Sequence, residues 1–363
     1  MAVELVAGLD FRRPEYRREV FLRFYEFHTK YRSHPGGVYY LMPYFVKRGE
    51  WTPEQRLWFA FVNGNTLSPV TSYIIFQHFP VLAEIDIHEL ADWFKSPSVY
   101  ARLSFGTDRR FHKKSFVESV ACYQEQLGGK SQWDFFSAFC KEGEEHANFQ
   151  RIWDKVQSSF LTFGRVSSYS YLEFLRIMGL DLDCDQLFLD DRAGSRSHRN
   201  GLCKVIGRDD LDWHSSNPGF DGLYAEDVID ELETFGASLL SDAKARAAGK
   251  PWERDIGYFT LESALCNYMK WHRHASTYPN VYNDVLFERI QYAESQWFSP
   301  SMDIFWEARA ASLPPNLLME RNPRDAGNVP LKQNHYKQTG QVIMMERDWD
   351  CFQNDYGRRR LQA

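Results

Sequence analysis

Apolar positions along this chain recur three and four residues apart, the spacing of one helical face, and no alternation of apolar and polar residues reaches strand length. From Pro14 to Tyr31, Val20, Phe21, Phe24, Tyr25 and Phe27 fall inward, which predicts an amphipathic helix broken by Ser33-His34-Pro35-Gly36-Gly37. Thr52-Pro53-Glu54-Gln55 reads as a capping residue followed by proline at the first helical position. The helix it opens carries Leu57, Trp58, Phe59, Phe61 and Val62 and is expected to stop at a polar loop, Asn63-Gly64-Asn65-Thr66. Ser68-Pro69 restarts a helix through Phe79. Further helices are predicted from Ser115 to about Leu127, through 131–162, over Tyr171–Met178 with Gly179 as the stop, over 225–248 and 258–274, and around Arg289. The expected fold class is mainly α, with little or no sheet.

The same pattern gives a single helical catalytic unit over 1–312, with room for two lobes, 1–160 and 161–312, and an active-site cleft between them. From 313 to 363 Pro, Asn, Gln and charged residues dominate, so an irregular tail is expected, packed on the body or flexible.

Composition then limits the class. With 363 residues and 44% hydrophobic content the chain can bury one large core or two smaller ones. Aromatic residues make up 16%; most belong in a core, and the surplus is available for stacking on bases. A net charge of −6 excludes a globally basic nucleic-acid binder, so any such contact must use a local patch. The six cysteines form no CxxC and no Cys/His pair at zinc spacing, so they are expected to be reduced thiols, with no structural zinc site. The first residues, MAVELVAGLDFRRPEYRRE, carry no signal-peptide pattern, and no apolar run approaches the ~18 residues of a membrane span.

The richest chemistry lies between Phe163 and Trp213. A turn, Gly164-Arg165-Val166-Ser167-Ser168, precedes an apolar helix whose first N–H groups suit a phosphate. Leu187, Phe188 and Leu189 lead into Asp190 and Asp191, which read either as a solvated turn or as a cleft base or electrostatic stabiliser. Arg192, Arg196, His198, Arg199, Lys204 and Arg208 then crowd together with Gly194, Ser195, Ser197 and Gly201 among them. Small residues between cations let backbone approach anionic oxygens, which favours a phosphate cradle over a merely soluble face. Two more basic groups stand out. Arg109, Arg110, Lys113 and Lys114 precede a helix, where cations oppose the helix dipole and an anionic partner offsets the mismatch. Lys270, His272 and Arg273 surround Trp271 at the end of the helix that carries Glu262. Asn63, Asn65 and Thr66 are candidate groove contacts, through short amides and a hydroxyl. No Walker loop, dinucleotide fingerprint, GxSxG or HExxH occurs, and no organic cofactor is indicated.

Two resemblances follow from these strings. The order Asn63-Gly64-Asn65-Thr66, Gly164-Arg165-Val166-Ser167, Asp190-Asp191 resembles the helix-hairpin-helix DNA glycosylases, in which an early polar loop meets DNA, a hairpin grips phosphate and an aspartate follows. The Gly-x-Gly hairpin, a lysine nucleophile and an iron–sulfur cysteine set are missing here. A broader resemblance runs through EQRLWFAFVNGNT, PVTSYIIF, FLDDRAGSRSHRNGLCKVIGRDDLDW, YFTLESALCNYMKWHR and YPNVYNDVLFERI, which look like the phage amino acid:DNA transferases, relatives of the α-glutamyl/putrescinyl-thymine pyrophosphorylases.

That resemblance implies a helical, glycosylase-like architecture and a phage enzyme acting in the cytoplasm of an infected bacterium. Its implied partners are double-stranded phage DNA carrying a modified thymine and a free amino acid or amine, with no membrane. It implies replacement of the pyrophosphate of 5-(pyrophosphoryloxymethyl)uracil in DNA by the amine of an amino acid of glycine or serine type. Such chemistry needs cations on the leaving group, a base for the incoming ammonium and a pocket for a flipped base. The matching residues are Arg196, Arg199 and Lys204, with Lys270, His272 and Arg273, for pyrophosphate, and Asp190, Asp191, His198 or Glu262 for catalysis. Asn63, Asn65, Thr66, Arg109, Arg110, Lys113, Lys114, Gly164, Arg165 and Ser167 are the expected DNA contacts. Magnesium can accompany the pyrophosphate, although no carboxylate cage for it is visible and no metal ligands are assigned. A glycosylase excising a modified thymine and a non-catalytic binder of modified DNA remain as alternatives. The first releases free base without an amine; the second keeps binding when Asp190, Asp191 and Glu262 are neutralised.

Overall fold

The computed structural model describes residues 14–313, without 31, 33, 107, 108, 193, 195, 213–219, 274–280 and 298. Among them the chain is helical, with no strand. The α-helices are α1 Pro14–Lys30, α2 Val38–Arg48, α3 Pro53–Thr66, α4 Pro69–His78, α5 Ile87–Lys95, α6 Pro97–Tyr100, α7 Arg110–Lys114 and α8 Phe116–Leu127. They continue with α9 Gln132–Ser137, α10 Glu145–Ser159, α11 Arg165–Ile177, α12 Arg196–Ile206, α13 Glu226–Ala247, α14 Tyr258–Arg273, α15 Val281–Gln296 and α16 Asp303–Ser312. The mainly α class read from periodicity is the class observed. No described helix is long and apolar enough to cross a membrane. The expected tail beyond Leu313 lies outside the described residues.

Local signals explain the helix starts. Thr52 Oγ1 accepts from Gln55 N at 3.3 Å, and Gln55 Oε1 accepts from Thr52 N at 3.0 Å, a reciprocal capping box in front of Pro53. Ser68 caps α4 by accepting from Thr71 N at 3.5 Å, with Pro69 first in the helix. Two boundaries differ from the pattern. Asn63-Gly64-Asn65-Thr66 is the last turn of α3, not a loop; the helix ends at Leu67, which takes a left-handed conformation (φ 46°). Burial of all four residues explains the extension, since a buried irregular loop there would strand their backbone polar groups, which the helix satisfies. Helix α11 likewise begins at Arg165, directly after Gly164, so the expected turn is its first helical turn.

The chain packs as two units, each of discontinuous segments. Of the described residues, the first takes 14–37, Asp185–Phe287 and Leu313; the second takes Val38–Cys184 and Glu288–Ser312. In the first, Phe21, Phe24 and Tyr25 of α1 share a core with Leu202 and Val205 of α12, Leu232 and Leu239 of α13, and Leu261, Leu265 and Tyr268 of α14. In the second, aromatic rings fill the interior. Phe61 stacks on Tyr123 with centroids 4.0 Å apart, and Phe163 and Tyr171 meet the same ring edge-on or tilted. Gly64 lets α3 and α11 approach, since a Cβ there would stand 3.0 Å from Phe163 and 3.2 Å from Tyr171.

The tightest approach in the first unit is between α12 and α14. A Cβ on Gly201 would lie 2.2 Å from the carbonyl oxygen of Leu265, a backbone atom with no rotamer through which to retreat. Gly201→Ala is therefore expected to lower stability by roughly 3 kcal/mol, despite the ~1 kcal/mol that alanine gains over glycine inside a helix. Denaturant unfolding measures this directly; an unchanged or raised midpoint would show that the crossing tolerates a methyl group.

Candidate active site

The Gly201 crossing sets His198, one turn earlier on α12, against Glu262 on α14. His198 is fully buried. Its Nε2 lies 2.9 Å from the carbonyl oxygen of Leu187, which can only accept, so Nε2 carries the proton. The other ring nitrogen, Nδ1, faces Glu262 Oε1 at 3.1 Å but makes no hydrogen bond among the described residues. Cys266, one turn after Glu262 on the same face, directs its thiol to the same oxygen at 3.4 Å.

Arg199, the next residue, is also buried. Its Nη2 donates to the Leu223 carbonyl, and the guanidinium lies 4.3 Å from the centre of the Tyr224 ring. Its Nε and Nη1 are buried and make no hydrogen bond among the described residues. The Arg192 guanidinium lies 5.1 Å from the same Tyr224 ring. This is a cation held in place by one bond and an aromatic face, with donors to spare.

The acidic pair divides by role. Asp191 Oδ1 accepts from Gly194 N at 3.1 Å and so shapes the turn into α12, while Asp190 is exposed. Beside them is a carboxylate that sequence reasoning missed, Glu233 of α13. Its Oε1 accepts from Leu189 N at 3.2 Å. Desolvation raises its pKa, and the charge of Asp190 acts in the same direction; the Leu189 and Leu187 amides and His198 oppose. Glu233 is one of many acids on that helix, and nothing in its spacing marks it. Lys204 is engaged by Asp209 at 3.2 Å and Asp212 at 2.7 Å. Arg196 opens α12 at the surface. Lys270, His272 and Arg273 occupy the last turn of α14, and their side chains lie outside the described residues.

The expected DNA contacts belong to the second unit, and the structure separates them into interior and surface. Asn63, Asn65 and Thr66 are fully buried. Asn65 Oδ1 accepts from Ser119 at 3.2 Å, Thr162 at 3.2 Å and His112 Nδ1 at 3.3 Å, and Ser72 links Asn63 and Thr66. Their polarity serves this internal network, not a groove. Arg109 is also interior, donating to the carbonyls of Gly64 at 2.9 Å and Val166 at 3.3 Å. Ser167 bonds back to the Gly164 carbonyl at 3.0 Å. Lys113 donates to the Leu103 carbonyl at 2.6 Å. What remains at the surface is Arg110, Lys114, Gly164 and the half-buried Arg165, joined by Phe111, which is 70% exposed, and by Val166. Gly164 caps α11 without a side-chain hydrogen bond. Phe111 is a further residue that periodicity did not mark, because an aromatic on a five-residue helix reads as core.

Burial, with the Arg109 charge adding to it, depresses the His112 pKa from 6.5 to about 4. His112 is therefore neutral in the folded protein while the unfolded chain protonates first on acidification. The stability this contributes is complete above about pH 6.5 and is lost as pH falls toward about 4. Urea titrations across that range are expected to show a decline on the order of 1–3 kcal/mol from this group, flattened in His112→Asn; an equal slope in the variant would remove His112 as its source.

Comparison with known proteins gives the family. The serinyltransferase of Salmonella phage ViI is 27% identical over 335 residues, covering 89% of this chain and 80% of that protein. No solved structure matches. The amino acid:DNA transferase family matches residues 40–276, a span containing α12, α14 and the surface around Phe111. The chain belongs to the amino acid:DNA transferase family.

Proposed function

We infer that this transferase replaces the pyrophosphate of a 5-(pyrophosphoryloxymethyl)uracil in DNA with the amine of serine. Transfer of an amino acid to DNA follows from the family. Serine as donor rests on the name of the phage ViI relative. The observation that carries the displacement chemistry is Arg199, a buried guanidinium with two nitrogens unbonded among the described residues.

In this reading the incoming ammonium loses a proton to a carboxylate, and its nitrogen forms a C–N bond to the exocyclic methylene as the C–O bond to pyrophosphate breaks. The leaving oxygens are drawn to Arg199, with Arg196 and the basic end of α14 as further cations. Glu233 is the preferred base, because desolvation moves its carboxyl toward the pH at which it exchanges protons. Asp190 is its charged neighbour. On the second unit Arg110, Lys114 and the uncapped start of α11 contact phosphates, and Phe111 stacks on a base.

The test is mass spectrometry of nucleosides from DNA carrying the pyrophosphorylated base, incubated with the protein and serine, glycine or putrescine. The expected product is a serine-linked thymidine with matching pyrophosphate release. Free base and abasic sites would replace this reading with base excision. Glu233→Gln is expected to lower turnover by about 10²-fold or more with folding preserved. Phe111→Ala is expected to leave the unfolding midpoint unchanged and weaken DNA binding roughly tenfold, the loss of one stacking contact. Unchanged affinity by fluorescence anisotropy would remove this surface from the interface.

A further inference from the structure

We propose that His198, Glu262 and Cys266 form a binding site for one zinc-type divalent metal ion. The three side chains offer a ring nitrogen, a carboxylate oxygen and a sulfur, all within 4.8 Å of one another. Tetrahedral zinc, with bonds of about 2.0–2.3 Å to such atoms, places its ligands roughly 3.3–3.6 Å apart. The observed separations, 3.1 Å from His198 Nδ1 to Glu262 Oε1 and 3.4 Å from that oxygen to Cys266 Sγ, already match that scale.

Two independent observations point to a ligand here. His198 Nδ1 is fully buried, aimed at the carboxylate and without a hydrogen bond among the described residues. The Leu187 carbonyl occupies Nε2, so Nδ1 is the ring nitrogen available to a ligand, and it stands 3.1 Å from the Glu262 carboxylate oxygen. The Nε2–H to backbone-carbonyl bond is also the outer contact that holds a metal-ligating histidine in one tautomer and one orientation.

The scaffold is two closely packed helices. Glu262 and Cys266 are four residues apart on α14, and His198 is held against them by the crossing at Gly201. The Glu262 side chain keeps 21% of its surface exposed, whereas that of His198 keeps none. The cluster therefore reaches solvent through the Glu262 side chain, and a tetrahedral ion held by these three groups takes its fourth ligand from outside them. This inference stands apart from the transfer reaction: metal uptake can be measured without DNA or amino acid, and its failure leaves the proposed transfer untouched.

The test is titration of the full-length, chelator-treated protein with Co(II), followed by absorbance, with Zn(II) displacement and thermal unfolding alongside. Wild type is expected to bind one equivalent, showing a thiolate-to-cobalt charge-transfer band that Zn(II) abolishes, and to melt at higher temperature with Zn(II) present. Cys266→Ala is expected to keep its helical circular dichroism and lose that band. Glu262→Gln is expected to keep the band and bind at least tenfold more weakly. No stoichiometric binding, or a charge-transfer band that persists in Cys266→Ala, would overturn the proposal.

Discussion

The approach of α12 to the backbone of α14 at Gly201 is the constraint on which the first unit depends. With a hydrogen in place of a side chain, the two helices meet at the Leu265 carbonyl. Leu202 and Val205 then enter the core that α1, α13 and α14 share. The same contact turns His198 and Arg199 inward, where neither would be tolerated without partners. Each finds a backbone carbonyl, Leu187 for His198 and Leu223 for Arg199; among the described residues no hydrogen bond occupies one nitrogen of His198 and two of Arg199. The site is thus a consequence of close packing: polar groups are carried into the interior by the helix that makes the core.

The second unit solves a comparable problem differently. Its interior is a cluster of aromatic rings, and the last turn of α3 threads amides and hydroxyls between them. Asn65 accepts three hydrogen bonds from three other parts of the unit, and Arg109 ties the end of α3 to the start of α11. A connected polar network of this kind favours one arrangement of helices, because breaking its bonds in a dry interior is costly. The surface residues Arg110 and Phe111 gain a defined position from it, since Arg109 anchors the short helix on which they sit.

Helix starts, the mainly α class and the family were legible along the chain, because caps, prolines and 3.6-residue periodicity are local. The concentration of chemistry between Asp190 and Lys204 was legible too, as residue type. The fate of individual residues was not. Asn63, Asn65 and Thr66 have the composition of a groove-reading loop, yet the helix runs through them. Lys204 reads as a phosphate ligand and is neutralised by Asp209 and Asp212. Burial and partner choice depend on what lies opposite, and that is set by helices distant in sequence.

By itself the sequence determined that the protein is helical, which transferase family it belongs to, and which short segments hold its charges, since each of these is written in local pattern or in shared strings. Tertiary structure alone decided that Glu233 is a desolvated carboxylate, that Arg109 is a strut, and that His198 meets Glu262 and Cys266. The search for metal ligands by spacing could not reach that last group. Its members come from two helices brought together by a glycine, and proximity across a helix crossing leaves no period in the chain.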